Sequence, residues 1–378
     1  MVLLSLFAEF PAFCCLVIIA LGAAGAAGAY VALYKRAVPN PNKVTTLRYE
    51  TARKSDEKPI GNRNEAPAEP LDPTKPPEAP VSVNYFPSRL CNYACKFCFH
   101  TATSSFKLEL PEAARGLKLL KDAGMRKLNI AGGEPFLHPE FLSSMLQYCK
   151  EVLEIESISI VSNGSLITGE WIEANAKWLD ILAISCDSFD AETNINIGRG
   201  GDGKNVERLH KISNWCKMYD IKFKLNTVVN IYNWNEDMAA EVEKLAPFRW
   251  KVFQCLIVEG ENENAKRKRD ARELLVSDAQ WRSFCDRHKH LPCYVPEDNN
   301  SMASSYLLLD EYMQFLDKGQ GMMKKSQSIL KVGVENAMKQ IVWDKKSFVE
   351  RGGIYDWGRS DMKPTKCGTK LNLKALEY

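Results

Sequence analysis

The sequence has no strong charge excess, no dense cysteine framework, and no internal repeat beyond an alternation of short strand-like and helix-like segments. Across 378 residues the formal net charge is only +3 at pH 7, so nothing in the global balance demands polymeric nucleic acid or an anionic membrane as partner. The twelve cysteines are scattered, several of them in apolar runs (Cys149, Cys186, Cys216, Cys255). That argues against a small secreted disulfide scaffold and for a reducing compartment. Lone cysteines of this kind read as small buried hydrophobes. No metal-hydrolysis motif or serine triad is present, and no loop has the ligand pattern of a dedicated magnesium cage.

The most informative absence is local. Cys91, Cys95 and Cys98 lie in L-C-N-Y-A-C-K-F-C-F-H, and no fourth cysteine follows nearby. Electron-transfer clusters and structural zinc sites close their shells with four protein ligands. Three thiolates on one short loop can wrap one corner of an iron-sulfur cubane with little chain-closure cost and leave one iron open. The alternative is a zinc site completed by His100, but that residue lies two positions past Cys98 and leaves little chain for tetrahedral closure.

One long uncharged stretch, Pro11 to Tyr34, is followed by Lys35 and Arg36. It is long enough to cross a hydrocarbon core of ~30 Å. The flanking charges favour leaving the following domain on the cytoplasmic side. The small-residue run Gly22 to Ala29 also fits a signal-peptide cleavage region, and an interfacial helix is a third arrangement. Residues 1–36 are therefore assigned to a membrane-anchoring segment. Residues 37–80 form a Pro-rich linker, too poor in large apolar side chains to offset the entropy of ordering.

From Val81 the pattern is regular. Strand-like runs at 81–85, 127–131, 157–162, 181–186, 221–229 and 250–258 alternate with helical periodicities, which predicts an α/β fold with a parallel sheet. Periodicity alone fits both a partial barrel and an open doubly wound sheet. In either, chemistry belongs at the carboxyl ends of strands. Cys91–Cys98 follow the first strand, Gly132-Gly133-Glu134-Pro135 the second, Ser162-Asn163-Gly164 the third and Cys186-Asp187-Ser188 the fourth, so all four should share one rim. Residues 81–290 make up this core. Residues 291–378 form a C-terminal extension expected to cap the active site, and the basic stretch Lys266–Arg269 reads as a solvated face.

Charge patterning adds a second prediction. Side chains alternate along strands, so Lys224 and Asn226 share a face, as do Arg249 and Lys251, and the basic residues of these neighbouring strands are expected to point to one place. Basic residues aimed into a barrel are costly unless they meet an anion. A triphosphate, with about four negative charges, is such an anion.

The C-x3-C-x2-C spacing resembles the signature of the radical S-adenosylmethionine (SAM) enzymes. At finer grain the chain resembles the viperin-like family of that superfamily. This rests on C-N-Y-A-C-K-F-C-F-H-T-A, A-G-G-E-P-F-L, S-N-G-S-L-I, S-C-D-S-F-D, K-L-N-T-V-V-N, R-W-K-V-F-Q-C-L, S-Y-L-L-L-D-E-Y-M and R-G-G-I-Y, spread from Asn84 to Asp356. The resemblance implies a partial (β/α)6 radical SAM barrel, a [4Fe-4S] cluster on Cys91, Cys95 and Cys98, and a SAM pocket from Gly132, Gly133, Glu134, Pro135, Ser162, Asn163, Ser185 and Arg199. It implies a substrate site from Asn84, Lys127, Lys224, Asn226, Arg249, Lys251 and Tyr306, with Tyr306 as hydrogen-bond or proton donor.

The implied reaction converts CTP into 3'-deoxy-3',4'-didehydro-CTP. A 5'-deoxyadenosyl radical takes hydrogen from C4', and the 3'-hydroxyl leaves; magnesium accompanies the phosphates. Implied partners are an electron donor, the cytosolic iron-sulfur assembly machinery and a membrane surface, and the implied place is the cytosolic face of the endoplasmic reticulum or lipid droplets, in antiviral defence. Alternatives are the same reaction on UTP or a purine triphosphate, a radical SAM reaction on another phosphorylated metabolite, or a membrane-bound scaffold acting by binding alone. Family members use an amphipathic amino-terminal helix and tend to end in tryptophan. Here the amino-terminal stretch is more uniformly apolar, and the chain runs on through K-C-G-T-K-L-N-L-K-A-L-E-Y.

Overall fold

The structure, a computed structural model, describes residues 70–258, 261, 268–299, 302, 304–317 and 325–359. The membrane-anchoring call, most of the linker and part of the basic stretch at 266–269 lie outside these residues. Among the described residues no helix is long and apolar enough to cross a membrane.

All six expected strands form, in the expected order: β1 (Ser82–Tyr85), β2 (Lys127–Ile130), β3 (Ser157–Ser162), β4 (Ile181–Ser185), β5 (Lys222–Val229) and β6 (Arg249–Gln254). Between them run α1 (Leu110–Asp122), α2 (Pro139–Glu151), α3 (Gly169–Asn175), α4 (Ala191–Ile197), α5 (Asn205–Met218) and α6 (Ala239–Leu245). After β6, α7 (Asp278–His288) leads to β7 (Tyr294–Glu297), and β8 (Leu307–Leu309) follows. The sheet order is β7-β6-β5-β4-β3-β2-β1-β8, with every pairing parallel. The sheet curls into a partial barrel, open between β7 and β8. Those two strands come from the C-terminal extension, so that segment builds wall as well as covering.

The two faces of the sheet differ in chemistry. Outward positions are apolar and fully buried: Leu128 and Ile130, Ile158 and Ile160, Leu182 and Ile184, Trp250 and Val252. They pack under Leu117, Leu120, Met145, Leu209, Val242 and Phe284 from the helices in one continuous core. Inward positions are largely polar, as in Asn84, Asn129, Ser159, Ser185, Asn226 and Lys251. Because residues i and i+2 share a face, this division follows from the strand period. Its energetic cost is confined to the inner face, where polar groups need partners or a ligand.

Helix ends follow local chemistry. Ser277 and Gln280 form a reciprocal capping box on α7, and Thr168 and Asp190 accept hydrogen bonds from the first turns of α3 and α4. At the end of α7, Trp250 is fully buried and packs against Phe284, His288 and Tyr294. Its Nε1 donates to Thr227 Oγ1 at 2.9 Å. Trp250→Ala removes both the packing and the hydrogen bond. Chemical denaturation should show a loss of about 3–5 kcal/mol, and a loss under 1 kcal/mol would mean that this cluster does not anchor the wall.

Candidate active site

The four strand-end motifs meet at one rim, as the register demands. The chain at 88–90 lies directly against the glycine pair: Gly133 N donates to Ser88 O at 2.9 Å, and Glu134 N to Leu90 O at 2.7 Å. Gly132 adopts φ of 113°, a region open to glycine. At Gly133 a Cβ would lie 1.9 Å from Leu90 O. On the other side of the cysteine loop, Ala94 N donates to Gly198 O and Lys96 N to Ile197 O, at the end of α4. The triad is thus braced on one side by the loop after β2 and on the other by the end of α4.

The Glu134 carboxylate is buried. It accepts from Phe136 N at 3.1 Å, Ser162 Oγ at 2.7 Å and Asn163 N at 2.7 Å. Here it ties the second motif to the third. Asn163 Nδ2 donates to Asn92 Oδ1 at 2.9 Å and lies 3.8 Å from Cys91 Sγ. Arg199 is buried in an ion pair with Asp187, and Asp187 Oδ1 accepts from Val228 N at 2.9 Å. Ser185 faces the cavity at the end of β4. Pro135 opens the short helical turn after the glycines.

Cys91, Cys95 and Cys98 are free thiols. Burial pushes Cys95 up to about 11 and Cys98 up to about 12, and each of the two also feels the charge of neighbouring cysteines. His100 takes no part in this group: it is buried edge-on to Phe86, with ring centroids 4.5 Å apart. Among the described residues no three His, Cys, Asp or Glu side chains gather closely enough to hold a single metal ion. Three thiols spread along one braced loop fit a cluster, whose ligands attach to separate irons.

Below the rim lies a cavity of ≈ 320 Å³, within the range of small-molecule sites. Cys98, Gly132 and Arg199 line one end. At the other, basic side chains converge from the first halves of strands. Lys127 opens β2 and Arg249 opens β6, while Lys224 and Lys251 are third in β5 and β6. Lys224 pairs in register with Arg249, and Asn226 with Lys251, so the basic residues of the two strands come together as alternation led one to expect. The expectation that chemistry sits at carboxyl ends therefore covers the cofactor motifs only. The cations lie deeper because the inner face of a curled sheet is lined along its whole length.

Three residues at this end were not assigned to the site from sequence: Glu297, which carries no sequence signal, and Arg351 and Tyr355, which open and close the R-G-G-I-Y motif. Tyr355 Oη accepts from Lys127 Nζ at 2.5 Å, and its ring lies 4.2 Å from Lys127 Nζ and 4.3 Å from the Arg249 guanidinium. Arg249 also donates to Gly352 O at 3.1 Å. Arg351 covers the Tyr306 ring at 3.6 Å. Lys251 contacts Glu297 and donates to Tyr306 Oη at 2.8 Å, while Tyr306 Oη donates to Glu297 at 2.5 Å. A further residue, Asn129, donates to Asn84 Oδ1 at 2.7 Å; its place two residues after Lys127 was a legible signal. Asn226 Oδ1 and Arg249 Nε are buried without a hydrogen-bond partner, as expected of groups awaiting a polar ligand.

The chain matches the Radical SAM superfamily over residues 85–246. It is 53% identical over 287 residues to the S-adenosylmethionine-dependent nucleotide dehydratase RSAD2 of Danio rerio, covering 75% of this chain and 80% of that protein. It is 32% identical to an S-adenosylmethionine-dependent nucleotide dehydratase of Flammeovirga pacifica, covering 73% of this chain and 96% of that protein. The chain belongs to the viperin-like family of radical SAM enzymes. Among solved structures it is similar in fold to Streptococcus suis SuiB bound to S-adenosylmethionine, with TM-score 0.52, 17% identity, and coverage of 67% of this chain and 64% of that one. A second fold relative is anSMEcpe with bound AdoMet and a peptide, with TM-score 0.51, 15% identity, and coverage of 70% and 81%. A [4Fe-4S] cluster and SAM are the cofactors of this family, and the braced triad with its adjoining rim accommodates them.

Two outcomes follow from the geometry. Gly133→Ala forces a Cβ into the backbone of Leu90, which cannot move without displacing Cys91. The variant should retain its circular dichroism yet bind several-fold less iron and sulfide on reconstitution; an undiminished load would show that the glycine contact is dispensable. Burial and the neighbouring Arg249 hold Lys224 down at about 7, and burial and the surrounding cations also depress Lys127 and Lys251. Above pH 7 Lys224 increasingly lacks its proton, and an arriving polyanion restores it. Calorimetry of inorganic tripolyphosphate at pH 8, in buffers of different ionisation enthalpy, should show net proton uptake and an affinity that falls from pH 7 to pH 9. A buffer-independent heat would contradict this.

Proposed function

We propose that this chain is a nucleoside-triphosphate dehydratase that converts CTP to 3'-deoxy-3',4'-didehydro-CTP, acting at a membrane surface in antiviral defence. The observation that carries the reading is one cavity with two unlike ends. Four basic side chains, Lys127, Lys224, Lys251 and Arg351, line one end, with Arg249 beside Lys224 and against the Tyr355 ring, and the cysteine loop borders the other. The relatives' shared name supports a nucleotide as substrate.

When bound, the reduced cluster and SAM supply a 5'-deoxyadenosyl radical. The protein's contribution is binding, orientation and exclusion of water. The basic side chains bind the triphosphate, Arg residues in bidentate fashion where geometry allows. Asn84 and Asn226 face the middle of the cavity, where they steer the sugar. Tyr306, bonded to Lys251 and Glu297, keeps a proton close to the departing 3'-hydroxyl, which leaves as water, and one electron from the electron donor then closes the didehydro product. Cytosine is favoured by the resemblance of the motifs to a family that uses CTP. The uncharged stretch Pro11 to Tyr34 supports anchorage, with the catalytic domain at the cytosolic face of the endoplasmic reticulum or lipid droplets. An electron donor and the cytosolic iron-sulfur assembly machinery serve the cluster, and magnesium accompanies the phosphates.

The test is anaerobic reconstitution of the full chain, reduction of its cluster, and measurement of 5'-deoxyadenosine released from SAM with CTP, UTP, GTP or ATP. Strong stimulation by CTP, with equimolar dehydrated nucleotide, is the expected result. Preference for another triphosphate would overturn the base assignment, and a loaded, reducible cluster that none of the four stimulates would overturn the nucleotide reading.

A further inference from the structure

We propose that Glu297 is a positioning residue: its carboxylate fixes Lys251, Tyr306 and Arg351 around the reacting end of the nucleotide and offsets one of the pocket's charges. This deepens the triphosphate reading and rests on it.

Glu297 is 0% exposed, and carboxylates are almost never so buried unless paired. It closes β7, in register with Phe253, two residues beyond Lys251 on the same face of β6. It is therefore held by sheet hydrogen bonds, not by a loop. One oxygen meets Lys251 Nζ, with Arg351 Nη1 at 3.8 Å, and the other accepts from Tyr306 Oη at 2.5 Å. Lys251 in turn donates to Tyr306 Oη at 2.8 Å. The three groups form a closed ring of contacts that sets the direction of the phenol and the ammonium alike.

Charge argues the same way. With every basic group protonated, the cavity-lining Lys127, Lys224, Lys251 and Arg351 against one Glu297 leave three positive charges, fewer than the about four negative charges of a triphosphate. Burial would raise the Glu297 carboxyl, but Lys251 and Arg351 outweigh it and hold the group below its ordinary range. The carboxylate thus stays ionised among the cations and repels the incoming polyanion. An interaction that opposes binding, yet is held so rigidly, is explained by what it does to Lys251 and Tyr306.

The experiment compares wild type, E297Q, E297D, Y306F and the E297Q/Y306F double variant as full-length reconstituted enzymes. Calorimetry measures CTP affinity and 5'-deoxyadenosine release gives kcat. E297Q should bind CTP at least as tightly as wild type, since a repulsive charge is gone. Its kcat should fall on the order of 10- to 100-fold, because a misplacement of about 1 Å can cost 10²-fold. E297D keeps the charge and the fold but withdraws the carboxylate, so its affinity should be unchanged and its kcat reduced. If Glu297 acts through Tyr306, the double variant should be little slower than the worse single variant. Wild-type kcat in both E297Q and E297D would overturn the inference, as would a parallel loss of affinity and kcat tracking a loss of folded protein. Wild-type enzyme that binds none of CTP, UTP, GTP and ATP would overturn the triphosphate reading, and this inference with it.

Discussion

Parallel strands that send every second side chain to one side make this molecule possible. The helices cover the apolar outer face completely, and that burial is the main stabilising term of the domain. The inner face is thereby free to be polar, even charged. Lys127, Lys224, Arg249 and Lys251 could not share an ordinary core; each would be an uncompensated charge. Here Lys127, Lys224 and Lys251 line one cavity with Arg249 beside it, an arrangement whose mutual repulsion an anion would relieve. The cationic end is thus a store of unfavourable electrostatics, supported by packing on the opposite face of the same strands.

The two ends of the cavity are built by different means. At the cofactor rim, backbone contacts dominate: the chain before Cys91 lies against Gly132 and Gly133, and Gly198 supports Ala94 from the other side. Glycine is required there because backbone must approach backbone. At the substrate end, side chains dominate, and many come from far away in sequence. The segment from Arg351 to Arg359 crosses the starts of the strands, where Tyr355 meets Lys127, Asp356 pairs with Lys222, and Arg359 reaches the carbonyl of Leu179. The C-terminal extension covers that end while also widening the wall through β7 and β8.

Tyr306 illustrates how local identity and tertiary environment divide a role. A tyrosine beside a departing hydroxyl reads as a proton donor. In place, its hydroxyl hydrogen is directed to Glu297, and its oxygen accepts from Lys251. Burial raises its pKa well above the ordinary tyrosine value, which further disfavours loss of the proton. Its contribution is inseparable from those two neighbours, so a description residue by residue understates the coupling.

The sequence by itself determined the strands β1 to β6, the cysteine loop, and the motifs after β1 to β4, because each is encoded in contiguous residues whose spacing has a direct physical meaning. Alternation also made Lys224, Asn226, Arg249 and Lys251 legible, and with one more step would have included Asn129. Only the tertiary structure decided the register that sets Lys224 beside Arg249 and Asn226 beside Lys251, since register between β5 and β6 depends on how whole strands dock. It alone brought Glu297, Arg351 and Tyr355 to the cavity: they lie 46, 100 and 104 positions beyond Lys251, and no local pattern encodes a contact across such a separation. It also decided that β8 pairs with β1, more than two hundred residues earlier, because a curled sheet with an open edge accepts whichever distant strand fits its register and buries its side chains.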